Sequence, residues 1–281
     1  MRTPKKFLPL AALLMGLAIV ACKRQTKETV DPEAFREVTE DYARVESEQN
    51  YLSDVTDNQG ESAANRRIAG VDSTLLPGCA QVSFDSTQRL LTIDFGPTNC
   101  LCRDGVYRRG KVLVRFSGPP WRQAGSRAVL TTDSFFVNDN QHIVEKVLFY
   151  EGINSAGERV IRDTVVSHQV ITPNGTIQWS AQRTFRQIQG QTTPTRWDDI
   201  WLIEGGAQGT SRRGQPFTTQ IVAPLKIVGN CIFRHPVKGI WKLTTQNHTL
   251  TLNYDPYNNE ACDRVASLQV DNGNPVNITL R

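Results

Sequence analysis

From about Val71 the chain is written in short runs rich in Val, Ile, Thr, Phe and Trp, separated by Gly, Pro, Asn and Asp. The runs fall at Leu90–Phe95, Lys111–Phe116, Ala128–Val137, His142–Tyr150, Val160–Ile171 and Thr176–Ile188. They continue at Asp198–Ile203, Phe217–Val228, Gly239–Thr244, Thr249–Tyr254, Ala266–Val270 and Val276–Leu280. Within Thr176–Arg186 the residues Ile177, Trp179, Ala181 and Phe185 share one face of an extended chain, and Gln178, Ser180, Gln182 and Thr184 share the other. Such alternation buries one face of a strand and wets the other. Asn138-Asp139-Asn140 and Pro173-Asn174-Gly175 stand where tight hairpin turns are required. The pattern predicts a mainly β fold, an antiparallel sandwich or curved meander of roughly a dozen strands, with a closed barrel as the remaining option.

Ahead of these runs the periodicity changes. Phe35, Val38, Tyr42, Val45 and Leu52 recur at helical spacing, behind Asp31 as an N-cap and Pro32 at the first helical position. Their narrow apolar seam predicts a helix lying against its own β domain or serving as a stalk, rather than an oligomeric coiled coil. Asp54–Arg67, rich in Asn, Gln, Ser and Glu, reads as a linker. The expected organisation is a leader over 1–21, a tether with an amphipathic helix over 22–70, and an all-β domain over 71–281.

The leader has a basic start at Arg2, Lys5 and Lys6, then an apolar run from Phe7 to Ala21. That is the layout of an export signal. The run is about 15 residues, short of the roughly 20 a spanning helix needs. It ends in Ile19-Val20-Ala21-Cys22, which resembles the lipobox of bacterial lipoproteins. The resemblance implies cleavage before Cys22, a diacylglyceryl group on its thiol and acylation of the new amino terminus. Two or three acyl chains would anchor the protein stably. Lys23, in a place where Asp would favour inner-membrane retention, implies the outer membrane by the same resemblance; either face of it fits.

Loss of the leader lowers Lys+Arg from 32 to 29, against 28 Asp+Glu. That near-balance gives no electrostatic basis for nucleic-acid binding.

With Cys22 assigned to lipid, Cys79, Cys100, Cys102, Cys231 and Cys262 remain, an odd number. Arg89–Cys100 and His248–Cys262 echo one another: each is an alternating strand, a Pro/Asn turn and a cysteine, preceded by Cys79 or Cys231. The echo pairs Cys231 with Cys262, and Cys79 with Cys100 or Cys102, and it admits a body made of two related modules. Cys100 and Cys102 point to the same side of an extended segment, so they compete for Cys79. With the lipobox, Thr92–Gly96, Cys100, Arg108–Lys111 and Cys262-Asp263 are similar to the motifs of uncharacterised lipoproteins of Gram-negative bacteria. That resemblance implies an architecture and an outer-membrane location, and no activity.

Catalytic motifs give no positive signal. His142, His168, His235 and His248 are scattered, no HExxH, nucleophile elbow or P-loop is present, and Cys100-Leu101-Cys102 lacks a second ligand pair for zinc. Gly205-Gly206-Ala207-Gln208-Gly209 reads as a flexible turn, because no helix pattern follows it to receive phosphate. No cofactor or metal is expected. The most suggestive binding feature is Trp197-Asp198-Asp199-Ile200-Trp201. If extended, it sets Trp197, Asp199 and Trp201 on one face, with the rings about 13 Å apart; the competing expectation buries the indoles in the core. The chain is therefore expected to be a non-enzymatic, lipid-anchored envelope protein with a structural or interaction role. Alternatives are a glycan-binding or glycan-processing protein using Trp197, Asp199 and Trp201, and a carrier of a lipid or other apolar ligand.

Overall fold

The computed structural model describes residues 35–64, 76–193, 195, 197–231 and 235–280. The leader, Cys22 and the Asp31-Pro32 helix start lie outside the described residues. One helix, α1 (Arg36–Ala64), precedes fourteen strands. These are β1 (Gln81–Asp85), β2 (Leu90–Asp94), β3 (Cys100–Leu101), β4 (Tyr107–Ser117), β5 (Arg127–Val137), β6 (Asn140–Ile153) and β7 (Arg159–Thr172). The second half comprises β8 (Gly175–Gln189), β9 (Ile200–Thr210), β10 (Pro216–Val228), β11 (Lys238–Thr244), β12 (Thr249–Asn253), β13 (Val265–Val270) and β14 (Val276–Thr279).

All fourteen belong to one antiparallel meander, in which every strand from β4 onward pairs with its neighbours in sequence; β2 pairs with β4, and the short β3 sits beside β4. The sheet does not close, leaving β1 and β14 as its two ends. The alternating runs explain the long strands. On β8, Ile177, Trp179 and Ala181 are buried while Gln178 and Gln182 are exposed. The β5–β6 hairpin turns on Asn138 and Asp139, both at positive φ (46° and 64°), as a two-residue turn matching strand twist demands.

The sheet curls around α1. Between Val38 and Gly60 only Arg44 and Ser47 are exposed, so a flat sheet covering one side of the helix is excluded. Register shifts at Thr131/Phe136, Glu145/Lys146 and Val165/His168 run across β5, β6, β7 and β8, and bulges of this kind bend strands. Val38, Tyr42 and Val45 pack into a core formed with the later strands; Tyr51, Leu52 and Val55 pack into a second core formed with the earlier ones. The helix, about 44 Å long for its 29 residues, thus joins both halves of the sheet.

Two expectations need correction. Asp54–Ala64 is not a linker but the continuation of α1. Val55 and Thr56 are fully buried there, and Asp57 is held by Trp121 and Arg122, so tertiary contacts override a weakly helical composition. Gly205–Gly209 is not a flexible turn but the interior of β9. A Cβ at Gly205 or Gly209 would come within 2.1 Å of the carbonyl oxygens of Gln182 and Gln178 on β8, so glycine permits close strand approach at this bend.

The disulfides are Cys79–Cys100 and Cys231–Cys262, with Cys102 left as a buried free thiol. On the chain-entropy account, loops of 21 and 31 residues make each bridge worth roughly 3 to 4 kcal/mol. Two structural disulfides indicate an oxidising compartment outside the cytoplasm. No described helix is long and apolar enough to cross a membrane.

Candidate functional site

The buried face of α1 is polar as well as apolar. Each charged side chain there meets a partner on the sheet or its loops. Asp41 is gripped by Arg212, whose Nε donates to Oδ1 at 2.8 Å, and Glu46 accepts from Arg183 Nη2 at 2.9 Å. Glu48 accepts from Arg108 Nε and Nη2 at 3.0 and 2.6 Å. Lys146 of β6, with no exposed surface, donates to the Gln49 carbonyl at 2.9 Å and to Ser53 Oγ at 2.5 Å, and meets Asp163 Oδ2 at 2.8 Å. Desolvating such groups costs several kcal/mol per ion unless they are paired, and the pairing fixes the helix in one register within the sheet.

Histidines scattered in the sequence also meet here. Gln49 Nε2 lies 2.8 Å from His168 Nδ1, and His168 Nε2 lies 3.0 Å from His142 Nδ1. A Gln49 amide donating to Nδ1 sets His168 as the Nε2–H tautomer, which donates in turn to His142. Burial, then the nearby Lys146 charge, pulls the His168 pKa down to about 3. Burial and the neighbouring His168 also hold His142 well below the usual histidine range. Both are neutral structural rings in the core. Only the antiparallel register of β6 and β7, which sets Val144 opposite His168, brings them together.

Where the middle of α1 parts from the sheet, a cavity of about 180 Å³ opens. Asn50, Tyr51, Asp54 and Asp57 line it from the helix, and Phe185, Trp201 and Ile203 line it from β8 and β9. Trp197 and Asp199 close it from the loop before β9. The sequence-predicted trio Trp197, Asp199 and Trp201 therefore converges on one cavity. Its backbone is not the continuous strand expected: Trp197 and Asp198 form a turn and β9 begins at Ile200. Trp197 is 47 % exposed at the rim, whereas Trp201 is half-buried against the core of the earlier strands.

Local chemistry fixes the Asp199 carboxyl. Its backbone carbonyl accepts from Gly229 N at 2.8 Å, and Gln187 Nε2 donates to Oδ1 at 2.7 Å. A Cβ at Gly190 would lie 2.1 Å from that same Oδ1, so the carboxyl occupies space that only glycine leaves open. Burial, reinforced by repulsion from Asp57 and opposed by hydrogen bonds from Trp201 and Gln187, pushes the Asp199 pKa up to about 7. Asp57 behaves oppositely. Burial disfavours its charge, but Arg122, donating from Nε at 3.1 Å and Nη2 at 2.7 Å, outweighs burial and holds it below the usual carboxylate range, helped by Trp121 Nε1 at 2.9 Å. The cavity thus presents one carboxyl that ionises near neutrality and one held toward its charged form by a paired guanidinium.

Sequence reasoning found the β9 side of this cavity through its aromatic pair. It missed the helix side, because Asn50, Asp54 and Asp57 stand in a stretch whose composition looks solvated. Among the described residues no group of three or more His, Cys, Asp or Glu side chains is arranged to hold a metal ion. Compared with protein-family models, curated proteins and solved structures, the chain matches none.

Proposed function

We propose that the chain is a lipid-anchored protein of the cell envelope with a non-enzymatic interaction role, binding a small ligand group in the cavity between α1 and the sheet. The observation that carries the reading is the convergence of Trp197, Asp199 and Trp201 with the polar face of α1 on one cavity. Apolar walls with a few oriented polar groups are the usual make-up of a ligand site. Asp57 is fixed by Arg122 and Trp121, and Asp199 by Gln187, so both carboxyls on the cavity wall hold one orientation. About 180 Å³ is below the 300–1,000 Å³ of sites for drug-sized ligands, so it suits one ring or head group and not an acyl chain. The two disulfides agree with export, and anchoring rests on Cys22 and its lipobox.

A glycan-processing reading has one observation in its favour. Two carboxyls line the same cavity with their ionisation driven apart, the pattern that separates a general acid from a charged partner. A thermal-shift screen of small metabolites and oligosaccharides, followed by product analysis, distinguishes the readings. Binding predicts a ligand that stabilises the wild type but not Trp201→Ala and is recovered unchanged. Cleaved oligosaccharide would establish the enzyme, and equal stabilisation of both proteins would remove the cavity from the argument. Fatty-acid-analogue labelling that persists in Cys22→Ala would end the lipoprotein assignment.

A further inference from the structure

We infer that the outer face of β7–β10 carries a second binding site, a groove for a neutral polyhydroxylated chain such as a linear glycan. The groove lies on the side of the sheet away from α1 and does not depend on the cavity described above.

Strand register builds it. Gln169 pairs with Gln178 and Gln178 with Thr210, a row across β7, β8 and β9. Ser180 pairs with Gln208 and Gln208 with Thr218, a second row across β8, β9 and β10. All six side chains are exposed or half-buried. Between the rows stand His168, Trp179, Gly209 and Phe217. The side chains of His168, Trp179 and Phe217 are buried on the opposite face and Gly209 has none, so the floor is backbone. Rows two residues apart are separated by about 6.8 Å, and four strands span about 14 Å. The space between the rows is about 470 Å³, within the range of about 300–1,000 Å³ typical of small-ligand sites.

The chemistry selects a ligand without charge. No Asp, Glu, Lys or Arg lines the groove. Arg212 and Arg213, in the turn before β10, are engaged by Asp41 and Glu37. Glu145 of β6, in register with Ser167, stands beyond the end of the groove. Further along the same strands Arg186 is held by Glu158 and Glu204. An ionic ligand would therefore find no counter-charge on the walls. The six row side chains, by contrast, make no hydrogen bond among the described residues. Gln offers a carbonyl acceptor and two amide donors, and a Ser or Thr hydroxyl both donates and accepts. This matches a chain of hydroxyl groups, which do the same.

An extended peptide fits the groove less well. β7, β8, β9 and β10 are each paired on both sides, so their backbone N–H and C=O groups are used in ladders and none can receive an added strand. Apolar surface in the groove is confined to its ends, at Pro216 and at Val166, which stands 49 % exposed where the register of β7 shifts. Side-chain hydrogen bonding is what the groove offers, and a repeating hydroxylated chain meets it at every strand.

Affinity electrophoresis of the full chain tests the site, in gels carrying soluble dextran, glucomannan or hydroxyethyl cellulose, with polygalacturonate as the anionic control. At least one neutral polymer should retard the protein, equally at low and high salt because no charge is involved. Replacing both amides in Gln178→Ala/Gln208→Ala should weaken that retardation about tenfold, with thermal melts confirming that these outward-facing changes leave the fold intact. Trp197→Ala, at the rim of the other cavity, should leave it unchanged. Retardation by no polymer, or by polygalacturonate alone, would overturn the ligand class. Retardation that survives in the double variant, or is lost in Trp197→Ala, would overturn the site, and the second result would assign the glycan to the cavity beside α1 instead.

Discussion

Arg108 of β4 holds Glu48 of α1 with two parallel hydrogen bonds, at 3.0 and 2.6 Å, while its guanidinium covers the Tyr51 ring one helical turn further on. Both charged side chains are almost wholly enclosed, at 2 % and 4 % exposure. Removing one partner leaves the other charged and buried. Glu48→Met and Arg108→Met should each cost about 3–5 kcal/mol. The double variant should cost clearly less than their sum. Urea denaturation of the four proteins measures this directly, and additive losses would mean that the pair does not couple helix to sheet.

The His142–His168 pair sets a pH limit on the fold. Both imidazoles have folded-state pKa values depressed below the ordinary value, His168 to about 3. As pH falls below about 6.5 the unfolded chain takes up protons that the folded core refuses, so stability drops by up to about 1.4 kcal/mol per pH unit for each ring. Full stability lies above about pH 6.5, and the loss accumulates down toward pH 3. Thermal melts between pH 7 and 4.5 should show a falling transition temperature with a shallower slope in His168→Gln. An unchanged slope in that variant would show that these rings are not the acid-sensitive groups.

Glycine at 209 is required by proximity. The Gly209→Ala methyl would lie 2.1 Å from the Gln178 carbonyl oxygen and 3.1 Å from the Phe217 ring, whereas at Gly78 an added methyl meets nothing within 4 Å. Overpacking of this kind costs typically about 1–3 kcal/mol, and more where backbone must move. Gly209→Ala should lower the denaturation midpoint markedly while Gly78→Ala leaves it nearly unchanged. Equal midpoints would contradict the close approach of β8 and β9.

The strands were legible because each carries its own evidence: alternation in Thr176–Arg186 and turn residues at Asn138-Asp139 act locally, and the meander pairs neighbours in sequence. The echo between two strand-turn-cysteine segments pairs Cys231 with Cys262 and leaves Cys79 a choice between Cys100 and Cys102, which the fold resolves in favour of Cys100. β1 escaped because its Gln-Val-Ser-Phe-Asp lies at the end of the sheet, largely exposed, and shows little apolar pattern. The buried polar face of α1 escaped for a different reason. Asp41, Glu46, Glu48 and Asp57 read as solvated charges until Arg212, Arg183, Arg108 and Arg122 are brought to them from remote positions. Of the candidate cavity, the aromatic trio could be found from spacing, whereas the helix side depends entirely on tertiary contact.

The separation of those partners along the chain also sets an order in time. During synthesis α1 is made before every strand that will enclose it, and Asp41 waits 171 residues for Arg212. Through that interval its charged face keeps the segment compatible with water, where a helix of Leu and Val at the same positions would seek aggregation partners. The ion pairs that lock the finished fold are thus drawn from residues that keep the nascent chain soluble until the sheet exists to receive it.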